Sequence, residues 1–235
     1  MIKMYPKICT IGPFTIYSYG LMLALAFFVS CSLAAAYAKK KGIAPEVIYN
    51  LGFLSLIFGV IGARIFYIIE NLEIYLENPI EMVMLQHGGL SWFGGLILAL
   101  CAGVFYLKRR KLSVYKVLDL LAPFLALAQA IGRVGCLLNG CCYGRPSQLI
   151  PTQIFASLAL LIIFIALRFF QERPHRQGAI IFSYLLLYSF KRFFIEFWRI
   201  DNPVILAGLT LFQLISIIIF LISSIKLLQI LRTKK

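Results

Sequence analysis

The chain has 235 residues, of which 61% are hydrophobic and only 14% charged, and its mean hydropathy is +0.90. Soluble domains carry about 25% charged residues and cannot bury so much apolar surface, so a cytosolic or secreted globular protein is excluded. A formal charge of +14 would suggest nucleic-acid binding in a soluble protein. Here the basic residues mostly flank apolar stretches, which is typical of membrane proteins.

Seven apolar stretches follow one another, each close to the 20 or so residues that a membrane-spanning helix needs. They cover residues 15–38, 48–70, 91–107, 114–133, 152–170, 179–198 and 204–228. Long runs without alternation exclude barrel strands. The first stretch is followed by Lys39–Lys41 and not by a small-residue cleavage site, so it is not a signal peptide. The sequence predicts an all-α integral membrane protein with seven transmembrane helices in one membrane-embedded domain, residues 1–235.

The distribution of Lys and Arg predicts the orientation of these helices. The loop 71–90 carries Glu73, Glu77 and Glu81 and neither Lys nor Arg. Basic residues concentrate where the first, third, fifth and seventh stretches end and where the fourth begins: Lys39–Lys41, Lys108–Lys111, Lys116, Arg168, Arg173, Arg176, Lys226, Arg232, Lys234 and Lys235. Because cytoplasmic loops are enriched in Lys and Arg, the N-terminus is predicted outside and the C-terminus in the cytoplasm.

Charged residues inside the apolar stretches are candidates for function, because a charge at membrane depth is costly. Arg64 lies within the second stretch and Arg133 is predicted to end the fourth. In the sixth, helical spacing puts four polar side chains on one stripe: Tyr188, Arg192, Glu196 and Arg199. A structural reading is an Arg–Glu pair that locks the helices, with an Arg near the interface. Because guanidinium groups fork onto phosphate, Arg133 and Arg192 favour a phospholipid head-group pocket.

Two glycine-rich stretches interrupt the apolar pattern. Residues 132–145 contain four Gly, three Cys and two Arg, and we expect irregular backbone there, lining a cavity. Residues 87–95 contain two Gly pairs around Trp92, which fit either a loop in close contact with a ligand or close helix packing.

The six cysteines are interpreted as structural or as small apolar residues. No C-x-x-C motif is present, which argues against a thiol oxidoreductase. The two histidines, His87 and His175, fall on opposite sides of the predicted topology, so no metal site and no cofactor are expected.

The motifs, in this order, resemble the prolipoprotein diacylglyceryl transferase family over almost the whole chain. The matching segments are Ile16–Met22, Gly62–Tyr67, Gly88–Gly95, Gly132-Arg133 through Asn139-Gly140 to Gly144-Arg145, Pro151–Gln153 and Arg192–Phe197. The resemblance implies an enzyme of the bacterial inner membrane without a cofactor or a nucleic-acid partner. Its partners would be phosphatidylglycerol and preprolipoproteins. The diacylglyceryl group would move to the lipobox cysteine thiol, releasing glycerol 1-phosphate.

The resemblance also assigns roles to residues. Arg133 and Arg192 would hold the phosphate, and Glu196 would orient Arg192. These three are the predicted catalytic residues. The residues expected to contact substrate or to support the cavity are Tyr19, Arg64, Asn139, Tyr143, Gly144 and Tyr188.

The chain departs from the family pattern at the position of a frequent histidine, where it has Phe93, and at Cys136 and Cys141, where Asn and Glu are common. Two explanations of thiol activation stay open: the arginines lower the pKa of the substrate thiol, or His87 serves as the base. Three other functions remain alternatives: a relative acting on another lipid or acceptor, a phospholipid transporter, and a membrane thiol oxidoreductase. A transporter would be expected to show internal repeats, and none is visible.

Overall fold

The computed structural model describes residues 5–11, 14–84, 88–142, 144, 151–199, 202–206 and 208–232. Helices dominate this part of the chain, as predicted. They are α1 (Ser18–Lys40), α2 (Pro45–Glu70), α3 (Leu72–Glu77), α4 (Trp92–Arg109), α5 (Val114–Asn139), α6 (Thr152–Gln171), α7 (Ala179–Glu196) and α8 (Leu211–Arg232). A 3₁₀ turn occupies Pro79–Met82. Two short antiparallel hairpins are β1 (Lys7–Ile11) with β2 (Phe14–Tyr17), and β3 (Val204–Leu206) with β4 (Leu209–Thr210).

Six helices of the described chain are long and apolar enough to cross a membrane: α1, α2, α4, α5, α6 and α8. This confirms an all-α, multi-pass membrane protein. Helix α7 is not among the six, because Lys191, Arg192 and Glu196 place three charges within its 18 residues. All three of these side chains are buried.

Two boundaries differ most from the sequence-based predictions. Helix α5 continues through Pro123 and past Arg133 to Asn139, so the first half of the Gly-Arg stretch is helical and not irregular. The last helix begins at Leu211, because Val204–Leu206 and Leu209–Thr210 pair as a hairpin, with Gly208 at a positive φ of 77°. Neither hairpin was predicted, since both are short and lie beside long apolar stretches.

The described chain divides into two compact units, residues 1–34 with 115–235 and residues 35–114. In the second unit α2 packs closely on α4. A Cβ at Gly62 would collide with the Gly94 carbonyl oxygen, and a Cβ at Gly94 would collide with the Gly62 carbonyl oxygen. The two helices therefore touch backbone to backbone, and Gly94 and Gly95 serve helix packing. Gly88 and Gly89, by contrast, adopt positive φ in a loop.

In the first unit, α5, α6 and α7 enclose a small apolar core that includes Ala122, Ala126, Leu167 and Ile181. Asp119 of α5 fixes the start of α7: its carboxylate accepts hydrogen bonds from the backbone N–H groups of Gly178 (2.6 Å) and Ile181 (2.8 Å). These are orphan donors at a helix N-terminus, where a carboxylate is stabilising. Gln171 of α6 donates to the Asp119 carbonyl at 2.8 Å, so three helices meet at this buried aspartate.

Candidate active site

The centre of the candidate site is the end of α5. Gly140 has φ 72°, its N–H donates to the Leu137 carbonyl (3.2 Å), and the Cys141 N–H donates to the Cys136 carbonyl (3.1 Å). This pair of bonds is the Schellman motif, which ends a helix at a glycine in the left-handed conformation. The motif brings the side chains of Cys136 and Cys141 together, although four residues lie between them.

Cys142 joins this pair. It also has a left-handed backbone, with φ 62°, an uncommon conformation for a residue other than glycine. The three Sγ atoms all lie within 4.8 Å of one another. A hydrogen bond with the Cys136 thiol, together with the positive charges of Arg199 and Arg133, lowers the pKa of the Cys142 thiol below its ordinary value.

Three other elements of the same unit hold this turn in place. Gln153, at the start of α6, donates its side-chain N–H to the Cys141 carbonyl at 2.8 Å. Gly144 forms an isolated antiparallel bridge with Arg199, just after α7. The Tyr5 N–H donates to the Leu138 carbonyl at 3.1 Å and attaches the N-terminal segment to the end of α5.

Arg192 and Glu196 form an ion pair inside the unit, with 3.0 Å between Nη2 and Oε2. The other carboxylate oxygen, Oε1, accepts hydrogen bonds from the Asn202 amide and from the Thr210 hydroxyl (3.1 Å). Glu196 is 2% exposed, so its charge is satisfied by these contacts and not by water. The guanidinium of Arg192 also lies 4.8 Å from the centre of the Phe212 ring, and its orientation is therefore fixed from two sides.

Cationic side chains gather around this ion pair. Lys191, which the sequence analysis did not single out, is buried, and its ammonium lies 4.5 Å from the centre of the Tyr188 ring. Arg133 of α5 lies within electrostatic range of both Lys191 and Arg192. Within the described part of the chain, Glu196 is the one carboxylate among them, so the cluster carries an excess of positive charge. That excess suits an anionic ligand.

Tyr19, in the first turn of α1, reaches the same place because α1 approaches α5 closely at Gly135. A Cβ at Gly135 would lie 2.9 Å from Cβ of Met22 and 3.5 Å from the Tyr19 ring. The Tyr19 hydroxyl is within electrostatic range of Arg133 and of the three thiols. The structure thus brings together five of the predicted site residues in the first unit: Tyr19, Arg133, Gly144, Arg192 and Glu196. Asn139 is the last residue of α5.

Tyr188 packs against Tyr184, with ring centres 5.8 Å apart, one turn before Arg192 on α7. Tyr143, Arg145 and the alternative base His87 lie outside the described residues. Phe93, which replaces the frequent histidine of the family pattern, lies in the first turn of α4 with its ring edge-on to Trp92.

Arg64 belongs to the second unit and is used differently. Its five N–H groups donate to five backbone carbonyls, those of Glu81, Met82, Met84, Gly88 and Gly89. The guanidinium also lies 5.2 Å from the centre of the Tyr75 ring. Every donor is occupied by the loop after α3, so in this structure Arg64 organises the loop and has no N–H left for a substrate phosphate.

These features define a multi-pass membrane protein with a buried cationic site at one end of its first unit. Residues 6–229 match the family model described as prolipoprotein diacylglyceryl transferase. The phosphatidylglycerol–prolipoprotein diacylglyceryl transferase of Clostridium tetani is 30% identical, over 93% of this chain and 95% of its own length. The enzymes of that name from Staphylococcus carnosus and Bacillus cereus are 32% and 33% identical over 92% of this chain, and over 87% and 88% of their own lengths. The chain belongs to the prolipoprotein diacylglyceryl transferase family.

Proposed function

We propose that this protein transfers the diacylglyceryl group of phosphatidylglycerol to the lipobox cysteine of preprolipoproteins, as the first step of lipoprotein maturation. Membership of the family and the names of its relatives identify donor and acceptor. In this reaction the acceptor sulfur forms a bond to a glyceryl carbon. The bond from that carbon to the phosphate oxygen breaks, and its electron pair leaves with glycerol 1-phosphate.

The observation that carries the proposal is the cluster of Arg133, Lys191 and Arg192. The leaving phosphate gains negative charge as the carbon–oxygen bond breaks. Preorganised cations in a site of low dielectric stabilise that charge more than water does. Arg133, three residues before Cys136 on the last turns of α5, would fork onto the phosphate, and Lys191 would add a further N–H donor.

The remaining roles follow from position. Glu196 would hold the Arg192 guanidinium in one orientation. Its Oε2 pairs with Arg192, and its Oε1 is held by the hydrogen bonds from Asn202 and Thr210. Tyr19 would contact the head group from the first turn of α1. Gly144 would keep the backbone close to α7, and Asn139 and Tyr188 would line the cavity, with Tyr143 beside them in sequence. For the acceptor thiol, we favour activation by the surrounding positive charge over a base such as His87.

We infer that α7 is a seventh span and that the protein lies in the bacterial inner membrane as a single functional domain. The charges of α7 are buried within the first unit, so they need not face lipid. Seven spans agree with the Lys and Arg distribution, which favours an external N-terminus and a cytoplasmic C-terminus. The candidate site, at the start of α1 and the end of α5, would then face outward, where lipoprotein precursors emerge.

The test is a transfer assay in proteoliposomes. Purified protein, phosphatidylglycerol and a lipobox peptide with one cysteine are incubated, and products are followed by mass spectrometry. We expect the peptide to gain a diacylglyceryl mass while glycerol 1-phosphate appears. Arg133→Ala should lower the rate by about 100-fold or more. The matched control is Arg168→Ala, which removes an arginine paired with Glu172 near the opposite end of α6.

Two results would overturn the proposal. Equal activity of wild type and Arg133→Ala would remove the phosphate-binding role of the cluster. A folded wild-type protein that binds phosphatidylglycerol but yields no modified peptide would indicate another acceptor or a lipid-moving protein.

A further inference from the structure

We propose that Cys136, Cys141 and Cys142 bind one zinc ion as three thiolate ligands, leaving a fourth coordination position that the acceptor thiol occupies. The three-cysteine cluster by itself is the evidence for the metal site. The assignment of the fourth ligand rests on the proposed function.

The spacing of the thiols fits such a site. Zinc–sulfur bonds are about 2.3 Å long, which places tetrahedral sulfur ligands about 3.8 Å apart. The three Sγ atoms already lie within 4.8 Å of one another, so small side-chain rotations bring them to bonding positions. Thiolates are the ligands that select zinc over harder cations such as magnesium or calcium. A zinc site with three protein ligands keeps one position open for water or substrate.

The helix cap explains only part of this cluster. A Schellman motif commonly has a side-chain contact between the two residues that Cys136 and Cys141 occupy. It does not require a third cysteine. Cys142 nevertheless takes a left-handed conformation with φ 62°, and strained residues of this kind concentrate at functional sites. The turn thus holds Cys142 in a conformation that places its thiol beside the other two.

The surroundings suit a charged metal centre. Three thiolates with one Zn²⁺ carry a net negative charge, and Arg133 and Arg199 lie within electrostatic range of Cys142. Gln153 attaches the Cys141 carbonyl to α6. Its buried Oε1 has no hydrogen-bond partner among the described residues and remains available to a group at the site. Such outer contacts orient metal ligands and tune their affinity.

The zinc ion would supply the deprotonation of the acceptor thiol. On binding to the fourth position, the acceptor thiol releases its proton to solvent, because a thiol that coordinates zinc is deprotonated. The bound thiolate then forms the sulfur–carbon bond as the carbon–oxygen bond to phosphate breaks. The electron pair leaves with the phosphate oxygen, and sulfur leaves the metal as a thioether, a much weaker ligand. No oxidant or reductant is consumed.

The metal site is tested by measuring bound metal. The full chain is purified without a histidine tag under reducing conditions, incubated with zinc, dialysed and measured by elemental mass spectrometry. We expect about one zinc ion per chain. Cys142→Ser and Cys136→Ser should each reduce the bound zinc by about 10-fold or more. The matched controls are Cys31→Ser and Cys101→Ser, whose cysteines lie in α1 and α4 outside the cluster. Thermal unfolding verifies that each variant is folded.

The fourth ligand is tested without reference to activity. With cobalt in place of zinc, we expect a thiolate-to-metal absorption band that changes when a lipobox peptide is added. A peptide with serine in place of its cysteine should leave the band unchanged. A band that responds equally to both peptides would overturn the assignment of the fourth ligand.

The other outcomes separate this proposal from the proposed function. The zinc site would be overturned by bound zinc below about one tenth of an ion per chain, or by zinc that is retained in Cys142→Ser. A disulfide among the three cysteines, or copper bound instead of zinc, would overturn it as well. Full transfer by metal-free protein would refute the catalytic role and leave the transferase intact. Zinc bound as expected, without transfer by any form, would refute the transferase and leave the metal site standing.

Discussion

Arg64 and Arg192 occupy similar places in the sequence, each within an apolar helix, but the structure uses them in opposite ways. Arg64 donates all five N–H groups to carbonyls of one loop. Arg192 shares one carboxylate and one aromatic ring, in the company of two further cations. A buried arginine whose donors are all occupied by backbone is a structural element. Arg192 has one carboxylate partner and further cations nearby, an environment that favours an anionic ligand.

The largest effect is expected for Arg64→Lys. Lysine has three donors and no planar fork, so at least two loop carbonyls would lose their partner, at about 1–3 kcal/mol each. We expect a loss of several kcal/mol in the stability of the loop and of the second unit, measured as folded yield and as protease sensitivity of residues 71–90. Unchanged yield and sensitivity would show that Arg64 does not organise this loop.

Arg192→Lys is the counterpart in the first unit. The positive charge that stabilises Glu196 stays, but the fork that grips phosphate is lost, so we expect transfer to fall about 100-fold with little change in thermal stability. The transfer assay together with thermal unfolding measures both. A variant that unfolds but keeps its activity per folded molecule would place Arg192 in the same class as Arg64.

Glu196→Gln sharpens the comparison further. The neutral amide still fills the buried site and still contacts Asn202 and Thr210, but it no longer holds the guanidinium by charge. We expect kcat to fall about 10- to 100-fold, and a higher concentration of lipid or peptide should not restore the rate. The control is Thr210→Val, which removes one hydrogen bond to Glu196 and keeps the charge of Glu196. Its kcat should fall much less.

Gly94→Ala probes the packing of the second unit. The new methyl group would collide with the Gly62 carbonyl, so we expect a loss of about 1–3 kcal/mol in stability. Gly103→Ala on the same helix is the matched control, because its Cβ would lie at an ordinary 3.6 Å from Leu51. Thermal unfolding should separate the two, and equal effects would contradict the close approach of α2 and α4.

The smallest effect is expected for His87→Ala, at the residue before Gly88 in the sequence. If charge or a metal activates the acceptor thiol, activity should stay within about 3-fold of wild type, since general bases contribute 10²–10⁴-fold. A dead but folded variant would instead make His87 the base.

Some features of the site could have been found from the sequence alone. Gly140 after a long apolar run is a helix-stop signal, and it would have placed the end of α5 at Asn139 and not at Arg133. Lys191 is one of three charges in an otherwise apolar stretch, which is itself a functional signal. The partners of Glu196 could not have been found, because Asn202 and Thr210 reach it only through a hairpin whose strands are too short to leave a pattern.

The sequence by itself determined the class of the protein, its apolar helices and its family. Lipid admits no unpaired backbone, so an apolar stretch of this length has few alternatives to a helix. Only the tertiary structure decided how its charges and thiols are used. The five carbonyls around Arg64 come from a loop further along the chain, and the three sulfurs at the end of α5 meet because Gly140 and Cys142 adopt a left-handed backbone. Neither composition nor periodicity records such loop contacts and backbone conformations.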